Sequence, residues 1–387
     1  MRSIDRRNRD LARWMRALLV GTAISDPAIV PAVAADATWV GNGTPTGDFN
    51  TIGNWSPNTV PTGIATFGAS PTTAVSFSID STVGEWKFIG PGYTFTNDHT
   101  LVFSGAGITI TAGSAAITNN GNLTFANSST PGSATITTLS GAHVVFQNFS
   151  IGGNASFITQ AGGTFDISGL GANLVTGSIA GAGTYSIGSQ LLTVGGNGTS
   201  TTVSGVISGA NGRLAKVGTG TLTLSGVNTY TGLTDVIGGT LIVDGSIASS
   251  TPISVKPGAT LGGVGAVGNT QVLGTFAPGS GVPGSSTSVA GTLIVSSGAT
   301  YVIQVSPGAA SSANITGTAT LAGTVNAQFV AGSYVARNYT ILTSTGLGGT
   351  TFDTLTTAGC PSASPRASAI RATTMCCLTW TRYSGSE

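Results

Sequence analysis

The feature that most limits the fold is a run of very short alternating segments. Residues 75–79 (VSFSI), 107–111 (GITIT), 221–224 (TLTL), 240–243 (TLIV) and 300–305 (TYVIQV) place apolar and hydroxyl or small residues in alternation. Each is bounded nearby by Gly, Asn, Asp or Ser, the residues that turn a chain. A period of two puts the apolar side chains on one face of a strand. After Ala35 no window carries apolar residues at i, i+3, i+4 and i+7 without a glycine interrupting it, so helices are not expected. Between Ala116 and Ser168 the strands recur almost regularly, at 122–125, 143–146, 155–158 and 162–167. Intervals of about 10–20 residues suit the coils of an all-β fold, a β-helix (β-solenoid), in which each coil stacks only on its neighbours. At roughly 20–25 residues per coil and ~4.8 Å between coils, the body is a rod of ~60–75 Å. A β-sandwich array is the alternative architecture. Asn-x-Ser/Thr triplets such as 122–124 read as turn-plus-strand chemistry rather than glycosylation sites.

Composition agrees with a stack held by uncharged groups. Only 7% of the 387 residues are charged, and 59 are Gly. A formal net charge of +1 argues against a nucleic-acid partner, and scarce charge argues against a solvated, disordered chain. Six of the 14 cations crowd the stretch from Arg2 to Arg16, and Arg366, Arg371 and Arg382 lie near the end. The body between Asp36 and Thr357 holds five cations and nine acids, a formal −4, and neither Cys nor Met. Stacked Thr, Ser and Asn can bond one another along the rod, so few ion pairs are needed.

Three segments follow: a signal-peptide-like export segment at 1–35, a β-helical body at 36–358, and a tail at 359–387. The head begins with a basic stretch, continues through ALLVGTAISDPAIVPAVAA and ends on Ala32-Val33-Ala34-Ala35. Those are the parts of a secretory signal, with cleavage after Ala34 or Ala35. Asp26-Pro27 interrupts its apolar region, and the alternative is a basic N-terminus on a cytosolic protein. No other stretch has ~18 consecutive apolar residues, so no transmembrane helix is expected. A cysteine-free body suits export, where wrong disulfides are a hazard.

Residues 218–232 (GTGTLTLSGVNTYTG) run on to 238–245 (GGTLIVDG). This segment, about 212–245, resembles the passenger-associated transport repeat of bacterial autotransporters. The matching positions are Gly220, Thr221, Leu222, Leu224, Gly226, Asn228, Tyr230, Gly232, Gly239, Thr240 and Leu241. Leu222 and Leu224 are expected to point into the coil, Gly226 and Asn228 to turn the chain, and Tyr230 to pack across a coil face. Leu241 and Val243 start the next inward row. Ala37-Thr38-Trp39, Asn54-Trp55 and Val60-Pro61 resemble the start of such passengers, and the stretch 316–335 with 339–343 their end. The resemblance implies a right-handed parallel β-helix exported through a C-terminal outer-membrane barrel. The further ~10-residue alternating strands of such a barrel are not present in the sequence. It implies export machinery as a partner, a cell-surface or extracellular location (periplasmic if the barrel is missing) and an adhesive or aggregating rod. Its surface ligand is a glycan, a protein or another copy.

Catalytic material is sparse. The histidines are His99, next to Asp98, and His143, within the apolar run at 143–146, and both read as structural. No G-x-S-x-G segment supports a serine nucleophile. Asp80 with Glu85, and Asp235 with Asp244, are the carboxylate pairs a glycan-acting β-helical enzyme would draw on, and turn chemistry explains the second pair equally well. The glycines of 262–268 lie among strands with no helix to follow, unlike a dinucleotide loop. Cys376-Cys377 lacks the ligand set of a zinc site. No cofactor or metal is expected, and the fitting class is a non-enzymatic surface rod.

The tail changes composition abruptly: Cys360, Cys376 and Cys377 are the only cysteines. Read with each codon boundary one base earlier, Met375-Cys376 must give Val, Cys376-Cys377 Leu, and Trp380-Thr381 Asp. The shifted tail resembles the strand that closes these passengers, so the tail is expected to be out of frame, with reactive thiols. Sequencing the locus should reveal barrel-like alternating strands in the shifted frame. A downstream frame without that alternation would refute the frameshift.

Overall fold

The computed structural model describes residues 34–335 and 338–359. The expectations for the head (residues 1–33) and the cysteine-bearing tail (360–387) fall outside them. The described body is an all-β parallel solenoid of about 13 coils, with one 3-10 turn at Ile52–Asn54. At ~4.8 Å per coil the stack is about 60 Å long. No helix among the described residues is long and apolar enough to cross a membrane.

Successive coils lie in strict register. Leu123, Val144, Phe165, Tyr185 and Ile207 pair in turn along one sheet, so the same inward position recurs once per coil. All five side chains are buried. The near-regular series seen in the sequence mixes two faces: 122–125, 143–146 and 164–166 belong to one sheet, and Ser156–Thr159 to another. Alternation reports which side chains point inward and carries no label for the face a strand joins.

The cross-section changes along the stack. The first coils have two sheets, one of ten strands ending at Val206–Ser208 and one of six ending at Ser178–Ala180. Their third side is a bend in which Asn127 and Asn148 take left-handed backbone angles, φ 56° and 59°. Asparagine tolerates that conformation better than other non-glycine residues. From Leu174–Thr176 onward this side becomes an eight-stranded sheet of its own. The other two faces carry on, through the bridge from Gly181 to Val203 and the bond from Thr229 N to Ile207 O (2.9 Å). A two-sheet rod thus becomes a three-sheet rod without a break in stacking.

The first coil is closed by aromatic bulk. Ala37–Trp39 pairs antiparallel with Trp55–Ser56, and Trp39 and Trp55 meet edge to face at 5.0 Å. Their indoles are satisfied by backbone: Trp39 Nε1 donates to Thr72 O (2.8 Å) and Trp55 Nε1 to Phe49 O (2.6 Å). Further along, Phe103, Phe125 and Phe146 stack at 5.2 and 5.1 Å, nearly parallel. A coil rise close to the aromatic stacking distance makes such columns self-consistent.

Polar columns follow the same rule. Asn97 and Asn119 are wholly buried at equivalent positions. Asn97 Nδ2 donates to Asn119 Oδ1 (2.8 Å), and Asn119 Nδ2 donates to His143 O (2.9 Å). Thr138 and Thr159 continue the column. Replacing Asn119 by Ala should destabilise the body by about 2–3 kcal/mol, because Asn97 and the His143 carbonyl lose buried partners. Urea unfolding of the two proteins measures it, and a loss below about 0.5 kcal/mol would contradict the ladder's role.

Candidate functional site

The acid–base candidates are scattered over the outside. His99 Nδ1 lies 3.9 Å from Asp80 Oδ1, one coil away, rather than against its sequence neighbour Asp98, which accepts from Asn120 Nδ2 (3.0 Å). Asp80 also accepts from Thr100 N (2.9 Å), a bond that holds a coil edge. His143 is exposed on its strand. Among the described residues no serine hydroxyl bonds either histidine, and no three metal-binding side chains gather. Asp235 pairs with Lys256 Nζ at 3.3 Å, and Asp244 accepts from Val264 N at 3.3 Å, so these acids are engaged separately. The glycines of 262–268 fall in Thr260–Gly263, the following bend and Ala266–Val267, all solenoid backbone.

The segment singled out by its repeat pattern sets buried polar side chains, Asn228 and Thr234 among them, beside its apolar rows. Leu222 pairs with Leu241, and Leu224 with Val243, and all four are buried as the alternation predicts. Thr221 and Thr240 pair on the outer side of the same strands. The glycines sit where coils come closest. A Cβ on Gly220, Gly226, Gly232 or Gly239 would run into a carbonyl oxygen of the coil below, that of Thr199, Gly205, Gly212 and Gly220 respectively. Gly239 also has φ +62°, a second reason for glycine there.

Asn228 does more than turn the chain. It is 3% exposed and ties three consecutive coils together. Its Oδ1 accepts from Ile207 N (2.9 Å), while its Nδ2 donates to Gly226 O and Ser246 O (3.1 Å each). Tyr230 lies fully inside the rod rather than across a face. Its hydroxyl is 2.8 Å from Thr234 Oγ1, which is 2.7 Å from Ser250 Oγ, which donates to Gly232 O (2.8 Å). The terminal carbonyl has no proton, so the chain of donors runs from Tyr230 through Thr234 and Ser250 to Gly232. Burial pushes the Tyr230 phenol up to about 12.

One residue escaped the sequence reading. Lys216 occupies an inward position between Val194 and Val236 and is 1% exposed. Its Nζ donates to the carbonyls of Val217 (2.7 Å), Gly218 (3.3 Å) and Gly238 (3.2 Å). Burial lowers its pKa, and corner carbonyls rather than a carboxylate accept its hydrogen bonds. The signal was present: Lys216 is two residues after Leu214, in phase with an inward position. The crevice beside it, lined by Ser178, Thr199, Thr201 and Leu222 among others, is too tight for a water molecule.

Residues 214–243 match the family model of the passenger-associated-transport-repeat. Over 295 residues, 62% of this chain, the sequence is 29% identical to the Adhesin BmaC autotransporter of Brucella suis biovar 1 (strain 1330). Over 74 residues, 19% of the chain, it is 45% identical to an Extracellular serine protease of Serratia marcescens. The matches span 8% and 7% of those proteins. No solved structure matches the chain significantly.

The buried tyrosine makes stability depend on alkaline pH. A phenol whose folded pKa lies above its unfolded value of 10.0 supports the fold fully below pH 10, and that support is lost as pH rises through about 12. Tyr185, also raised to about 12 by burial, adds in the same direction. Chemical denaturation at pH 8 and pH 11.5 should show a stability loss that shrinks in Tyr230→Phe. Asn228→Ala should cost about 1–3 kcal/mol at pH 8, since the buried amide of Ile207 loses its acceptor. A Tyr230→Phe protein with the full alkaline loss would contradict the assignment.

Proposed function

We infer that this chain, an autotransporter passenger built as a parallel β-solenoid around a passenger-associated-transport-repeat, is an exported adhesin-type rod that binds through its outer surface and not by catalysis. The observation that carries this reading is the extent of the similarity to the Brucella adhesin, 295 residues against 74 for the Serratia protease. The site geometry supports it. The buried polar groups of the repeat join coils, and the exposed acids and histidines are dispersed. The repeat itself then serves the rod's assembly: Asn228 and the Tyr230–Thr234–Ser250 chain specify which coil sits on which. The partners are the export machinery and a surface ligand, and the location is the cell surface or the extracellular space.

The export segment has a boundary that the fold supports. Ala35 O accepts from Thr62 N (3.0 Å) and Gly63 N (2.8 Å), and Ala35 N donates to Thr62 Oγ1 (3.1 Å). Asp36 Oδ1 accepts from Ile64 N (2.7 Å). Removal of Ala35 would strip two amides of their acceptor, so of the two candidate cleavage points the fold favours the one after Ala34.

Expression with the native head in a Gram-negative host tests both points. The protein recovered outside the cytoplasm should begin at Ala35, and when displayed on cells it should increase attachment to host cells or matrix without degrading glycans or proteins. Uncleaved chain found only in the cytoplasm would overturn export. Turnover of a glycan by the purified protein would replace the adhesin with an enzyme.

A further inference from the structure

One outer face carries a feature that begins in the repeat, at Thr221 and Thr240, and runs five coils beyond it. Thr221, Thr240, Thr260, Thr275, Thr300, Thr324 and Thr354 pair one after another along a single sheet. Seven consecutive coils therefore present threonine at the same outward position, ~4.8 Å apart. The first six are half-buried and the seventh is exposed. Among the described residues, the hydroxyls of Thr221, Thr240, Thr260, Thr275 and Thr300 make no hydrogen bond to the protein. At the far end Thr324 and Thr354 bond each other at 2.6 Å. The strands of this face, from Thr221–Leu224 to Thr354–Ala358, contain no charged residue. The next outward positions on these strands are Thr223, Ile242, Gly262, Ala277, Val302, Asn326 and Thr356, uncharged like the threonines beside them.

We propose that this threonine face docks on the same face of a second copy, the two rods lying antiparallel about a two-fold axis that passes through Thr275. The proposal rests on the reading that the outer surface of the rod does the binding, and it names one partner. Three physical points select a copy of the chain over other occupants. A hydroxyl both donates and accepts, so a threonine row is complementary to itself. A face without charge meets its own image without repulsion, which a charged face cannot do. And a second solenoid has the same rise, so all seven rungs stay in phase, whereas a polymer of different repeat drifts out of step.

Thr275 is the fourth of the seven, so full antiparallel overlap sets it against itself and sets Thr221 against Thr354. Seven coils of such short strands make a face of roughly 500 Å², short of the ~800 Å² per partner of a stable interface. A single pair is therefore weak and reversible, and many copies on apposed cell surfaces would act together.

The test uses the full chain with Cys360, Cys376 and Cys377 replaced by Ser. Thr275→Cys should cross-link to a covalent dimer under mild oxidation. Thr221→Cys alone should not, but should do so when mixed with Thr354→Cys. In the parent, sedimentation velocity should show dimer growing with concentration and unchanged between low and high salt, as expected for a face without charges. Thr240→Lys with Thr275→Lys should abolish it at unchanged melting temperature, and Ser254→Lys with Gln271→Lys, on a different face, should leave it intact. Thr275→Val, which keeps the shape and removes the hydroxyl, should weaken it and serves where the double Lys variant misfolds. A parent that stays monomeric at millimolar concentration, or Thr221→Cys cross-linking to itself as readily as Thr275→Cys, would overturn the proposal. Loss of attachment to foreign surfaces with dimerisation intact would count against the adhesin reading alone.

Discussion

The rise between coils, ~4.8 Å, is the constraint on which the rest of the structure depends. Every residue in a column has as its nearest neighbours the residues at the same position one coil above and one below. A side chain that tolerates its own kind at that distance is therefore the natural choice. Phenylalanine satisfies the condition by stacking, as Phe103, Phe125 and Phe146 do. Asparagine satisfies it by amide-to-amide bonding, as Asn97 and Asn119 do inside the core. Threonine satisfies it outside, along seven rungs of one face. A lysine or aspartate column would fail the same test through like-charge repulsion. That failure is a physical reason for the body's scarcity of charge.

The same rise explains the glycines and the unusual placement of Lys216. Where the chain rounds a corner, carbonyls of one coil face the backbone of the next, and there is no volume for a Cβ at Gly220, Gly226, Gly232 or Gly239. Corners thus hold carbonyl groups that still need donors. Lys216 supplies three from a single ammonium, bonding the carbonyls of Val217, Gly218 and Gly238. Asn228 does the equivalent for a neighbouring corner with a neutral amide. The segment 214–243 therefore concentrates several devices that satisfy backbone groups between coils. A stack of near-identical coils is prone to slipping by one repeat. Buried polar partners that fit in only one register penalise such a slip, because a mispaired donor in the core costs about 1–3 kcal/mol.

The division of polar groups between inside and outside also frames the functional reading. Interior polarity belongs to assembly, and the outer surface of the described residues carries hydroxyls, small residues, scattered aliphatic and aromatic side chains such as Ile79, Phe149 and Val227, and few charges. On the adhesin reading proposed above, such a surface binds by area, periodicity and number of copies, not by one preorganised constellation. The scattered positions of His99, His143, Asp235 and Asp244 fit that picture, and so does the long match to an adhesin.

Much of this was legible in the residues alone. Alternation with period two identified the inward rows, including Leu222, Leu224, Leu241 and Val243. The glycine punctuation and the missing helical period established a β-stack, and the pattern at 218–245 pointed to the repeat. These are local signals, set by side-chain direction on a strand and by the steric freedom of glycine. Other properties depend on what lies one coil away, a neighbour distant in the chain whose identity no local pattern reveals. The partnership of His99 with Asp80 instead of Asp98, the full burial of Tyr230 and the three-coil grip of Asn228 are of that kind. So are the carbonyl cage around Lys216, the passage from two sheets to three at Leu174, and the alignment of seven threonines spaced unevenly in the chain. The step from Thr260 to Thr275 is half as long in sequence as the step from Thr324 to Thr354, yet each spans one coil. Only the folding of loops of different length onto one face brings the threonines into line, because stacking fixes the position of each strand and leaves the length of the turns free.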